Sequence, residues 1–157
     1  MEGVADRSRL STDYLHTLWH NEQQLVLDAL LDYSQTIITV PDTGSLHGDL
    51  TELALSIAAY VNEPVGRRIA RMMVVDTKSQ AADYGTRARF WTMRTSTIEV
   101  IFRRAAERGE LRDDIRPMIV LQLLTSPLHT FALYSDRPVN SRYCREIADL
   151  VTRAIQR

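Results

Sequence analysis

The chain has 157 residues and a mass of 18.0 kDa, which is enough for one domain with a hydrophobic core and too little for two. A hydrophobic content of 45%, a charged content of 25% and a net charge of −1 are ordinary for a globular protein and give no overall signature of nucleic-acid binding. No apolar run approaches the roughly 18–20 residues of a membrane span, and no signal-peptide pattern opens the chain.

One cysteine, Cys144, is too few for an internal disulfide or for a zinc site built from cysteines, so we expect a reducing cytoplasm. Five prolines and six glycines leave room for long helices, and alternating apolar and polar residues are scarce. The composition therefore predicts an all-α protein, and no cofactor is expected.

The first residues predict two short helices and the beginning of a longer one. A short helical end at Val4 to Arg7 is followed by a break at Ser8-Arg9, and Ser11, a residue type that favours the N-cap position, leads the next short helix. Leu15 and Trp19 recur at helical spacing, and Asn21 caps a longer helix that reaches about residue 38. Two short helices, a tight turn and a longer helix are how a helix-turn-helix joins its carrier domain.

This stretch resembles the DNA-binding end of the tetracycline-repressor (TetR) family. The residues in register with the family pattern are Val4-Ala5, Leu10-Ser11, Leu15, Trp19 and Leu25. The resemblance implies a TetR-like helical regulatory domain over residues 21–157, preceded at 1–20 by a remnant of the helix-turn-helix whose first helix is absent. Either the start is assigned too late or the gene is shortened; an ordinary frayed N-terminus is the alternative. The DNA contacts implied are Arg9, Ser11, Thr12, Tyr14 and His16.

Three departures from the family pattern weigh against DNA binding by this chain. Arg9 stands at the turn position usually held by glycine, His16 replaces a tyrosine that contacts phosphate, and Glu22 replaces a lysine. Residues 1–30 carry five acidic and two basic side chains, whereas a DNA-reading surface normally supplies positive charge. His16 and His20 have the spacing of a metal site on a helix, but no carboxylate lies between them, so exposed or capping histidines are the simpler interpretation.

The segment from Val40 to Leu50 predicts a helix end followed by a helix start. Pro41 stops the connecting helix, Thr43-Gly44 turns the chain, and Ser45 or Gly48 leads the next helix with Asp49 near its positive end. The run P-D-T-G-S-L-x-G-D-L also resembles the linker of one TetR subgroup. Capping roles explain Asp42 and Asp49 without a catalytic one.

Apolar residues repeat at helical spacing over 50–61 and predict one helix, and a second helix begins at Glu63-Pro64. The longest helix follows over 79–108. In the second, Arg67, Arg68 and Arg71 predict a solvated arginine face more than a phosphate site. The long helix mixes aromatic, methionine and threonine positions on neighbouring faces, which suits an apolar ligand pocket, although plain core packing is the alternative. The predicted pocket residues are Tyr60, Trp91, Thr95 and Phe102.

The C-terminal part predicts a turn and two helices. The turn R-G-E-L-R-x-D at Arg108 to Asp114 resembles the TetR regulatory domain; an apolar helix over 118–134 should kink at Pro127, and a last helix spans about 141–156. Two antiparallel terminal helices with apolar surface suit a symmetric four-helix-bundle dimer, with monomeric core packing as the alternative. The predicted interface residues are Leu124, Leu128, Phe131, Ile147, Leu150, Val151 and Ala154.

These features predict a TetR-like transcriptional regulator, a repressor, that forms a homodimer and senses a small apolar effector, with operator DNA as a partner only if the missing first helix is present. The alternative is a truncated dimeric ligand-binding or heterodimerising protein that does not bind DNA. An enzyme is disfavoured because the sequence has no glycine-rich phosphate loop, no HExxH, no G-x-S-x-G and no paired cysteine and histidine.

Overall fold

The computed structural model describes residues 1–22, 24–25, 28–29, 32–33, 39–75 and 84–157, with the side chains at 69, 71–75, 84–91, 93–94 and 97 left aside. Its helices are α1 (Glu2–Ser8), α2 (Thr12–Leu18), α3 (Leu46–Asn62), α4 (Pro64–Val75), α5 (Tyr84–Glu107), α6 (Pro117–Tyr134) and α7 (Ser141–Ile155). The described positions between 22 and 33 are also helical. Within these residues the extended pairing is one bridge, Leu111 with Gln156. The prediction of an all-α protein is confirmed.

The helices begin at the polar residues that the sequence marks as caps. The side-chain oxygens of Ser11, Asn21, Ser45 and Asn140 each accept a hydrogen bond from the backbone N–H three residues later, at 2.9–3.2 Å. Of the two predicted leading residues, Ser45 is the cap and Gly48 is not, so α3 begins at Leu46. The predicted start of α5 at 79 lies outside the described residues.

Helix α3 is the centre of the domain, because it packs against α4, α5, α6 and α7. Its inward residues are among the most buried of the described chain, with Leu50, Ala54 and Val61 at 0% exposure. α6 adds Val120, Leu121, Leu124, Leu128 and Ala132 to this core, and α7 adds Cys144, Ile147, Ala148, Val151 and Ile155. None of the described helices is long and apolar enough to cross a membrane.

The corner between α3 and α4 is bonded to the loop that joins α6 to α7. The side chain of Asn62 donates to the Val139 carbonyl at 2.9 Å and accepts from the Val139 N–H at 2.7 Å. Arg67 donates to three backbone carbonyls, those of Val61, Ser135 and Arg137, at 3.3, 2.9 and 3.1 Å. The prediction that Arg67 belongs to a solvated face is therefore wrong, because this half-buried guanidinium is bonded to backbone carbonyls of the loop.

Gly66 lets the first turn of α4 approach the end of α3. A Cβ atom at this position would lie 1.9 Å from the carbonyl oxygen of Tyr60, a backbone atom that cannot move independently. We expect Gly66→Ala to lower the free energy of unfolding by about 1–3 kcal/mol in urea denaturation, since the added methyl group must displace the backbone at Tyr60. Gly3→Ala is the matched control: the nearest atom to its Cβ is the end of Arg7, 3.9 Å away. Equal stability of the two variants would contradict this account.

Candidate functional site

The turn between α1 and α2 has a left-handed residue at its centre. Arg9 adopts φ 59° and ψ 27°, in the region that glycine occupies at least cost. This turn needs a positive φ, so Arg9, which stands where the family usually has glycine, bears a strain of about 1 kcal/mol there. The backbone shape of a helix-turn-helix is kept despite the unusual residue.

The predicted DNA contacts lie on the exposed surface of this helix pair. Leu15 is the one buried residue of α2, and Tyr14 is 50% exposed. The other predicted contacts are exposed at Arg9, Ser11 and His16 and half-buried at Thr12. Thr12 and His16 share a shallow depression with Glu2, His20 and Glu22. Among the described residues, no three His, Cys, Asp or Glu side chains come together in a way that could hold a metal ion.

Trp19 joins α2 to the helix that follows. Its indole Nε1–H donates to Asp28 Oδ2 at 3.0 Å, in a half-buried setting. The carboxylate of Asp28 therefore points back toward α2. The orientation of α2 is therefore tied to the helix that carries Asp28.

The connecting helix contacts the core through an aromatic pair. The rings of Tyr33 and Tyr60 have centroids 6.2 Å apart and planes tilted by 43°, a favourable arrangement for two aromatic rings. Tyr60 and Phe102 are each 4% exposed and belong to the same buried cluster, while Thr95 is half-buried on α5. The side chain of Trp91 lies outside those described. Two of the four predicted pocket residues are thus brought into one core.

A network of charges connects the start of α3 to the end of α5. Asp49 is fully buried, and its Oδ1 accepts from the N–H and hydroxyl of Thr43 at 2.6 and 2.8 Å. Its Oδ2 lies 3.6 Å from Nη2 of Arg108. Arg108 also donates to Glu110 at 2.7 Å, and Glu110 accepts from the N–H of Leu46. Ser45 caps α3, whereas the side chain of Asp49 is bonded to Thr43 before the helix, and the sequence missed its arginine partner.

This network lowers the pKa of Glu110 below its ordinary value. The largest cause is the hydrogen bond from Arg108, which desolvation opposes and the Leu46 N–H supports. The same hydrogen bond is the first cause of a raised pKa for the Arg108 guanidinium. The two groups are therefore held ionised, and the start of α3 receives a negative charge where the helix dipole favours one.

The outer face of α6 is apolar and exposed. Ile119, Leu123 and Tyr134 are 42%, 51% and 88% exposed, and they line a groove of about 690 Å³ with Pro127 and Phe131. From α7, Tyr143 reaches the groove, and its ring centroid is 5.5 Å from that of Phe131. Gln122, Ser126, Thr130 and Ser135 also line the groove, so its exposed apolar side chains are interspersed with polar ones.

The predicted interface residues divide between this surface and the core. Leu150 is 67% exposed, Ala154 is exposed and Phe131 is half-buried, whereas Ile147 and Val151 are 7% and 6% exposed. Leu124 and Leu128 are at 0% exposure. The assignment of these last two is corrected, because they pack inside their own chain and offer no surface to a second one. Ile119 and Leu123 take their place on the outer face of α6.

Residues 40–151, most of the chain, match a family described as tetracyclin repressor-like, C-terminal domain. The chain belongs to the tetracycline-repressor family. It is 30% identical over 131 residues to the HTH-type transcriptional regulator AqdR of Rhodococcus erythropolis, an alignment that covers 83% of this chain and 63% of AqdR. It is 22% identical over 156 residues to the uncharacterized HTH-type transcriptional regulator YdeS of Bacillus subtilis (strain 168), covering 99% of this chain and 79% of YdeS.

The TetR-family fold is also that of a solved structure. The crystal structure of the TetR family transcription regulator SCO0332 aligns with a TM-score of 0.81 at 20% identity, over 97% of this chain and 84% of that chain. Regulators of this family typically act as dimers that bind operator DNA and small-molecule effectors, and they are not enzymes. The linker, turn and proline motifs at 41–50, 108–114 and 123–128 all lie within the matched range.

The lowered pKa of Glu110 makes a prediction about pH. At pH values above 4.5 the carboxylate is ionised in both the folded and the unfolded chain, so its stabilising contacts are present in full. As the pH falls below 4.5 through the lowered pKa of the folded state, this contribution is lost. We expect Glu110→Gln to cost about 1 kcal/mol in urea unfolding at neutral pH, and the difference from the wild type to shrink below pH 4.5.

Glu146→Gln is the control for this measurement, because Glu146 pairs with Arg142 on the exposed surface of α7 at 2.8 Å. Its effect on unfolding should be smaller at neutral pH, since exposed ion pairs contribute little. A Glu110 variant with the same stability difference at every pH would contradict the assignment of the ionised form.

Proposed function

We propose that this protein is a homodimeric transcription regulator, a repressor, that binds operator DNA through α1 and α2 and releases it when a small apolar effector occupies its helical domain. The match of residues 40–151 to the family's C-terminal domain carries the proposal, and the HTH-type relatives support it. The chain spans 63% of the length of AqdR, so its activity is taken from the family and not from that protein. Such a regulator would work in the cytoplasm, beside its DNA.

The effector would bind where α3 and α5 meet, next to Tyr60, Thr95 and Phe102, with Trp91 one turn before Thr95 on the same helix. The support is chemical: aromatic surface with a few hydroxyl groups suits an apolar ligand that makes one or two polar contacts. Because Tyr60 also contacts Tyr33, a ligand that shifts Tyr60 acts on the connecting helix. Trp19 and Asp28 then link that helix to α2.

The second copy of the chain would cover the outer faces of α6 and α7. The groove residues Ile119, Leu123 and Tyr134 and the neighbouring Leu150 supply apolar surface that a monomer would leave in water. Matching helix pairs from two chains form a symmetric four-helix bundle, in which the same patch meets itself. The family's typical dimer supports this choice of partner.

Leu123→Glu should break this dimer. A carboxylate placed in an apolar interface loses its hydration without gaining a partner, so we expect the dissociation constant to rise by roughly 100-fold or more in sedimentation equilibrium. Leu18→Glu is the control, since Leu18 on α2 is exposed to nearly the same extent, 50% against 51%. A dimer equally strong in both variants would place the interface elsewhere.

DNA binding would use Arg9, Ser11, Thr12, Tyr14 and His16. Side chains at the start of an exposed helix can reach base edges, while an arginine in the preceding turn can meet a phosphate. A second candidate function is a dimeric ligand-binding or heterodimerising protein that does not bind DNA. The five acidic and two basic residues among the first 30 favour it, because phosphate contacts need positive charge.

Selection of duplexes from a random-sequence pool separates the two candidates. The regulator proposal predicts that one related set of duplexes is enriched, and that Arg9→Ala weakens their binding and reduces the salt dependence of log K by about one unit. Arg112→Ala is the control, because Arg112 is also an exposed arginine but lies between α5 and α6. If no duplex is enriched at low salt, the second candidate is the correct one.

A further inference from the structure

Two arginines one turn apart near the end of α5 hold the segment that leads into α3. Arg104 donates to the carbonyl of Pro41 at 3.0 Å and lies 3.4 Å from the carboxylate of Asp42. Arg108 lies between Asp49 and Glu110. We refer to Arg104, Arg108, Asp49 and Glu110 as the arginine clamp.

The side chains of the arginine clamp contact the segment 41–46 at several positions. Besides the two contacts of Arg104, the N–H and hydroxyl of Thr43 bond to Asp49, and the N–H of Leu46 bonds to Glu110. A fully buried carboxylate is costly unless it is paired, and Asp49 links Thr43, by two hydrogen bonds, to Arg108, by an ion pair at 3.6 Å. The path of the segment is therefore set by the position of α5.

The start of α3 alone does not require these contacts. Ser45 already caps the helix by accepting from the N–H of Gly48 at 3.1 Å. Gly48 has no room for a side chain, because a Cβ there would lie 2.2 Å from Oγ1 of Thr43. The segment is thus packed closely on its own helix and also bonded to a second one, which is more than helix initiation needs.

We propose that Arg104 and Arg108 are positioning residues that set where the connecting helix, and with it α2, lies relative to α5. The inference rests on the proposed function, since it names the second route between the effector region and the DNA-binding helices. Phe102 precedes Arg104 by two residues, about 3 Å along the helix axis. A displacement of α5 at Phe102 is therefore a displacement of the arginine clamp and of the segment 41–46.

The position of the connecting helix can be measured in the full chain with two spin labels. Ala29 is an exposed position on the connecting helix, and Glu99 is an exposed position on α5. Both are replaced by cysteine and labelled with a nitroxide, and the labelled protein is diluted into unlabelled protein so that only distances within one chain are recorded. Cys144 is buried and burial raises the pKa of its thiol, so it reacts slowly with the label.

The double variant Arg104→Gln/Arg108→Gln should give a displaced or broader distribution of distances between the labels. Arg112→Gln is the matched control, because Arg112 forms an ion pair with Asp114 at 3.0 Å outside the arginine clamp. Arg104→Lys/Arg108→Lys keeps the charges and should restore part of the narrow distribution. These variants are made in the labelled background, and thermal unfolding is recorded for each.

A lower unfolding temperature with an unchanged distance distribution would overturn the proposal, since the two arginines would then only stabilise the core. The same conclusion follows if Arg112→Gln moves the labels as far as the double variant does. If the double variant does not fold, Arg104→Gln alone decides by the same criteria, because Arg104 contacts the segment and not the buried Asp49. The result is independent of DNA binding, so a chain that binds no duplex can still show the displaced labels.

Discussion

The buried carboxylate of Asp49 is the constraint on which the arrangement of the helices depends. A charge at 0% exposure must be paired, and here the partners are Thr43 from the preceding segment and Arg108 from the end of α5. Asp49 lies in the first turn of α3, which packs against four other helices. Whatever fixes this turn therefore fixes the relation between the core and the chain before it. Glu110 strengthens the same junction by accepting a hydrogen bond from the N–H of Leu46.

The two ends of α3 are held by different parts of the molecule. Its first turn is bonded to the end of α5 and the turn after it, while Asn62 at its other end and Arg67 of α4 bond to the loop between α6 and α7. Tyr60 and Phe102 both lie in the buried core. The helices at one anchor carry the exposed apolar residues that we propose as the contact with a second chain, and the segment at the other anchor leads back toward α1 and α2. We propose that a ligand beside Tyr60 and Phe102 acts on both.

Local features of the fold were predictable from the sequence because they depend on residues close together in the chain. The caps at Ser11 and Asn21 follow from their residue types and the helical spacing after them, whereas the turn at Arg9 was expected from the resemblance to the family. The faces of α6 did not follow, since leucines occur on both sides of this helix and only packing separates buried Leu124 from exposed Leu123. Pairs distant in the chain, such as Arg108 with Asp49, leave no periodic signal. The candidate site was therefore predicted by region, and its connections were not.

A double-mutant cycle on Asp49 and Arg108 tests the central claim most directly. The unfolding free energies of the wild type, Asp49→Asn, Arg108→Gln and the double variant are measured in urea at neutral pH. If the two side chains depend on each other, Arg108→Gln lowers the free energy of unfolding much less when residue 49 is already asparagine. Additive losses would mean that Arg108 does not hold the start of α3, and the account of this junction would then be wrong.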